Sequence, residues 1–156
     1  MIKSSRTAFL IEIENIQKAI AIDIDEIREF VLRTLRILGV PSADLSIVIV
    51  TDRKIHDLNK RYLAHDYPTD VITFDLKESG RSSRGRVGPL DGEIIVSATT
   101  ALRMSKDLGV APWAELLLYV VHGILHLSGF DDRTPAARRQ MRKKESEIMG
   151  QLGLRI

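Results

Sequence analysis

Two histidines stand four residues apart in the stretch His122-Gly123-Ile124-Leu125-His126-Leu127-Ser128-Gly129-Phe130-Asp131-Asp132. Positions i and i+4 of a helix share a face about one turn apart, so the two imidazoles can aim at one ion. Gly129 follows three residues after His126 and can reverse the chain where the helix ends. Asp132, six residues after His126, can then swing back as a third ligand. Three protein ligands and one open position are the arrangement of a catalytic zinc site. The plainer alternative is a pair of core histidines bonded to backbone carbonyls. Burying both on a Leu/Val helix face is costly without compensation, which favours the metal.

The spacing H-x-x-x-H-x-x-G-x-x-D follows the metzincin pattern H-E-x-x-H-x-x-G-x-x-H with two changes. Gly123 stands where a protease keeps its glutamate base, and Asp132 where the third histidine would be. Without that glutamate the helix has no carboxylate to take a proton from water, so peptide hydrolysis by that route is disfavoured. Asp132 brings negative charge, which makes a bound water less acidic and eases exchange of zinc for a harder ion such as manganese. Asp131 offers a second carboxylate beside it. That group can bond a ligating histidine, take a proton, or simply hold the turn; the general base is left open.

The elements that must position these groups follow from patterning. Thr7 to Ile13 alternates as a strand, and Asp23 to Leu38 has helical spacing stopped by Gly39. Leu45 to Val50 reads as a strand buried on both faces. Thr51 caps a helix from Asp52 to about Tyr62, with Ile55 and Leu58 inward. A turn at Tyr67-Pro68-Thr69-Asp70 feeds a strand at Val71 to Leu76; Thr69-Asp70 is either a plain turn, with a buried Asp bonded to backbone amides, or part of the functional site. Residues 77–90 are rich in Gly, Ser and Arg and read as a loop. A strand at Ile94 to Ser97 and helices at Ala98 to Leu108, Pro112 to Leu127 and Pro135 to Gly150 complete the order. The expected fold is α+β, one domain over residues 1–156, with a small mixed sheet of about four strands, about five helices and a metzincin-like metal helix.

Composition narrows the chemistry. The 156 residues contain no cysteine, which excludes disulfides, thiolate nucleophiles and Cys-based metal sites. A formal charge of +2 permits a nucleic-acid partner without demanding one. Leu116 to Leu127 falls short of the roughly 20 apolar residues of a membrane span, and Glu12 and Glu14 interrupt the N-terminal apolar run, so neither a membrane partner nor a leader is expected. A cytoplasmic setting suits these features. Aromatic content of 5% offers few stacking platforms for reading bases. Arg133, Arg138, Arg139, Arg142, Lys143 and Lys144 crowd the last helix, and Arg81, Arg84 and Arg86 the loop; each cluster is either a solvated face or a phosphate contact. His56 and His65 read as surface residues.

At three blocks the chain resembles the YbeY/UPF0054 family. His122 to Asp132 is similar to its H-G-x-L-H-L-x-G-[YF]-D-H signature except at the last position. Leu58-Asn59-Lys60-Arg61-Tyr62, followed by Asp66 and Pro68-Thr69-Asp70-Val71-Ile72-Thr73-Phe74, resembles its L-N-x-x-[YF]-R-x-x-D-x-P-T-D-V-L-S-F block. Gly92-Glu93-Ile94-Ile95-Val96-Ser97 resembles its G-[DE]-I-x-I-[SC] strand. The resemblance runs from about residue 45 to residue 150 and implies a single-strand-specific, metal-dependent endoribonuclease of 16S rRNA 3′-end maturation and ribosome quality control. It implies one Zn2+ on His122, His126 and Asp132, with ribosomal RNA and ribosomal subunits as partners and a monomer as the working state. Leu63 occupies the place of the family's phosphate-gripping arginine. Arg61, two residues earlier and on another face, joins Arg138, Arg139 and Arg142 as candidates for that contact. The rival readings are a non-enzymatic ribosome-assembly protein with a structural metal and a zincin-type peptidase.

Overall fold

The computed structural model describes residues 8–63, 70–77 and 87–154, without the side chains of Tyr62 and Leu63. His65, Asp66, Pro68, Thr69, Arg81, Arg84 and Arg86 lie outside the described residues, as does the side chain of Leu63. The order is β1 (Phe9–Asn15), α1 (Ile24–Leu38), β2 (Ala43–Val50), α2 (Asp52–Leu63), β3 (Val71–Asp75), β4 (Leu90–Ser97), α3 (Ala98–Leu108), α4 (Pro112–Leu127) and α5 (Pro135–Gln151). The expected α+β class and element order are both found. One sheet runs β1-β2-β4-β3, with β1, β2 and β4 parallel and β3 antiparallel on the edge.

Local chemistry sets the helix ends. The Asp23 carboxylate accepts from the Glu26 backbone N at 3.2 Å, and Gly39 closes α1 at φ 73°. Thr51 Oγ1 receives the Lys54 backbone N at 3.4 Å, the expected cap of α2. Between these ends α1 buries Ile27, Val31 and Leu35 in one core cluster with Leu45, Ile47 and Ile49 of β2. Helices α1, α3, α4 and α5 share that main core. On the opposite face α2 lays Ile55 and Leu58 over Val50, Ile72 and Ile95.

Strand β2 is therefore not buried evenly on both faces. Leu45, Ile47 and Ile49 are fully buried, but Ser46 and Val48 are only half-buried because α2 covers just the C-terminal end of that face. Strand β4 also starts earlier than expected. Asp91-Gly92-Glu93 leads into the expected strand in the sequence, and in the structure Gly92 already lies within the ladder, paired with Leu45 and Asp75. A Cβ there would stand 2.7 Å from the Phe74 backbone O and 2.9 Å from both Leu127 methyls, so glycine is what admits α4.

Candidate active site

Helix α4 rests on the floor made by β3 and β4. Thr73 and Ile94 are paired across these strands, and Gly123 sits directly above them. A Cβ at position 123 would meet Ile94 Cγ2 at 2.7 Å and Thr73 Cγ2 at 3.2 Å. The absent side chain thus lets the helix approach the sheet, and it explains why no glutamate can follow His122. His122 and His126 project from the neighbouring, half-open face with side chains 24% and 27% exposed. After Leu127 the chain turns back through Gly129 at φ 104°, with the Phe130 backbone N donating to the Leu125 carbonyl at 3.0 Å. This reversal delivers Asp132, and Thr134 then caps α5 by accepting from the Ala137 backbone N at 3.0 Å.

Three donor atoms converge. His122 Nε2 and His126 Nε2 are 3.0 Å apart, and Asp132 Oδ2 lies 3.6 Å from the first and 3.5 Å from the second. Zinc bonds of about 2.0–2.1 Å in tetrahedral array separate neighbouring ligand atoms by about 3.3–3.4 Å, close to all three spacings. The group could hold a metal ion. Asp132, 44% exposed, marks the solvent side. On the buried side His122 Nδ1 meets Glu145 Oε2 of α5 at 2.5 Å.

The electrostatics divide the two imidazoles. Burial alone would lower the His122 pKa, but the hydrogen bond and charge of Glu145, aided by Asp70 and Asp132, hold it above the usual value. Burial and the neighbouring His122 push His126 below it. Asp70 itself is exposed, against the plain-turn alternative with a buried carboxylate; it precedes the edge strand β3, and its carbonyl accepts the Ser97 backbone N at 2.9 Å. Further along α4, buried Glu115 bonds Tyr119, and burial raises both pKa values.

The remaining candidates are dispersed. Asp131 Oδ1 accepts from the Arg133 backbone N at 3.1 Å, an Asx turn. Arg138 reaches the ligand loop, donating to the Asp132 carbonyl at 3.2 Å. Arg142 lines a cavity with Glu115 and Glu145, and Arg139 is exposed. Arg61 pairs with Asp57 at 3.1 Å on the surface of α2. Glu145 was not foreseen from the sequence. Its signal is a carboxylate within an apolar stripe, Met141, Glu145, Ile148 and Met149, all buried.

Comparisons with known proteins identify the family. The family model described as Endoribonuclease YbeY matches residues 12–153. A relative named Endoribonuclease YbeY from Syntrophus aciditrophicus is 36% identical, covering 92% of this chain and 89% of its own. Namesakes from Geobacter metallireducens and Geobacter sulfurreducens are 38% and 37% identical over 88% and 91% of this chain, and 92% and 95% of theirs. The solution structure of TM1509 from Thermotoga maritima matches with a TM-score of 0.60 at 24% identity, covering 92% of this chain and 91% of that one, a likeness of fold. With a family match that spans both the sheet and the convergent histidines, the chain belongs to the YbeY endoribonuclease family.

Proposed function

We propose that this chain is a zinc-dependent endoribonuclease that cleaves single-stranded RNA in 16S rRNA 3′-end maturation and ribosome quality control. The observation that carries the reading is the convergence of His122 Nε2, His126 Nε2 and Asp132 Oδ2 at the open end of α4. His122, His126 and Asp132 are the ligands assigned, and Asp132 also suits a harder divalent ion. When bound, such an ion supplies Lewis acidity toward a phosphoryl oxygen and makes water more acidic.

The chain's own groups do the rest. Arg138, fixed beside the ligand loop, neutralises a substrate phosphate, with Arg139 and Arg142 extending the basic face along α5. Arg61 is a more distant phosphate contact whose charge must first part from Asp57. Asp131 steadies the turn and is the candidate carboxylate for taking a proton. The working unit is a single-domain cytoplasmic monomer, with ribosomal RNA and ribosomal subunits as its partners. A zincin-type peptidase is opposed by position 123, which faces Ile94 and Thr73 rather than the ion. A ribosome-assembly protein with a structural metal differs in one respect, the absence of cleavage.

Metal analysis and RNA cleavage by the purified protein, beside His126→Ala and Asp132→Ala, test the proposal. Wild type is expected to carry about one divalent ion and to cut single-stranded but not duplex RNA, whereas both variants lose metal and cleavage together. Equal metal in all three removes the site. Cleavage that persists in His126→Ala belongs to a contaminant or to another site. A wild type that carries the ion and binds RNA but never cleaves it, with metal lost only in the variants, establishes the assembly protein instead.

A further inference from the structure

We propose that Glu145 is a positioning residue for the metal site, acting through the His122 ring; the inference rests on the ligand assignment above. A neutral imidazole has one N–H, and an acceptor placed at Nδ1 holds the proton there. Glu145 Oε2 provides that acceptor at 2.5 Å, leaving the His122 Nε2 lone pair directed at His126 and Asp132. The hydrogen bond also restrains the ring's rotation from its buried side. Carboxylate–histidine–metal arrangements of this kind raise the basicity of the ligand and reduce the entropy lost on binding.

The location argues for this role over simple packing. Glu145 is only 8% exposed, on the face of α5 that otherwise presents Met141, Ile148 and Met149 to the core. A carboxylate there costs desolvation that an apolar residue would avoid. The bond also joins two separate elements, so that docking of α5 and the aim of a ligand on α4 are one event. The ion should in turn hold α5 in place, because any coupling between two equilibria is reciprocal.

Glu145→Gln and Glu145→Ala, compared with wild type, supply the test. Zn2+ affinity is measured by competition with a chromogenic chelator, Co2+ loading gives the visible ligand-field spectrum, and the unfolding temperature is taken on the metal-free proteins. The expected result for Glu145→Ala is a roughly 10- to 100-fold loss of affinity with an altered Co2+ spectrum. Glu145→Gln keeps an oxygen acceptor for Nδ1–H, so its loss should be smaller and its spectrum near wild type. If Glu145→Ala does not fold, Glu145→Gln must still bind measurably more weakly than wild type. Affinities within twofold of wild type in every folded variant, with only the metal-free unfolding temperature changed, overturn the proposal. A wild type that binds Zn2+ no better than His126→Ala instead overturns the ligand assignment beneath it, and the proposal with it.

Discussion

Gly123→Ala should destabilise this protein, although alanine is the better helix former. The added methyl carbon would stand 2.7 Å from Ile94 Cγ2 and 3.3 Å from Ile94 Cδ1, against about 3.5–4.0 Å for a relaxed carbon contact. Ile94 is fully buried on a central strand, so it has no free space to retreat into. Such overpacking costs about 1–3 kcal/mol, while alanine's helix propensity returns about 1 kcal/mol. Midway in that range the expected net loss is about 1 kcal/mol, or about 2–4 °C for a chain of this size. Urea unfolding of Gly123→Ala, Ile94→Ala and the double variant reads the coupling, with the slope checked for constancy. Ile94→Ala alone should cost about 2–5 kcal/mol, and in that background the methyl at 123 should become stabilising because it fills part of the void. Lifting α4 also moves His122 and His126 together, and an offset near 1 Å can cost about 100-fold in rate. A Gly123→Ala protein as stable as its parent, or one affected equally in both backgrounds, would refute the idea that this glycine seats the helix.

Other consequences can be checked directly. The Asp52 carboxylate accepts from Ser97 Oγ at 2.5 Å, from Arg103 at 2.8 Å and from Thr100. Burial works against its ionisation, but these bonds win and hold its pKa down at about 2, from 3.8. A carboxyl with a depressed folded pKa contributes stability above its unfolded pKa and loses it as pH falls from about 4 through 2. Asp52→Asn should therefore cost about 1–2 kcal/mol at pH 7, after discounting for partial exposure, and should flatten the acid limb of the unfolding curve. Adding Zn2+ to about 100 times its Kd should raise stability by about 2.7 kcal/mol in wild type and leave His126→Ala unmoved in differential scanning fluorimetry. Replacing Arg138, Arg139 and Arg142 together by alanine should reduce the salt slope of single-stranded RNA binding by about 2, at about 0.7 per phosphate contact; an unchanged slope means that α5 does not meet the backbone.

Where one residue's local chemistry decided the outcome, the sequence was sufficient. Gly39 and Gly109 end α1 and α3 in left-handed conformation, Pro112 and Pro135 begin α4 and α5, and the i, i+4 histidines with Gly129 and Asp132 point to the site. What could not be read depended on partners distant in the chain. The reason for a glycine at position 92, the Leu127 side chain above it, lies on another element. The partners of the Asp52 carboxylate, Ser97 and Arg103, come from β4 and α3. Glu145 was hidden among the charges of α5, since 23 residues separate it from the ring it holds. The half-exposed face of β2 shows the same dependence, because how far α2 extends across the sheet cannot be inferred from β2 alone.

All three assigned donors fall within residues 122–132, with a single reversal at Gly129. The entropy of closing a loop grows only logarithmically with its length, so assembling so short a chelate from a disordered chain costs little. Partly opened forms that have released the β1 edge or the α1 helix therefore retain most of their grip on the cation. An ion held in that way protects the helix–turn unit against local fraying, but it discriminates weakly between the native chain and those opened forms.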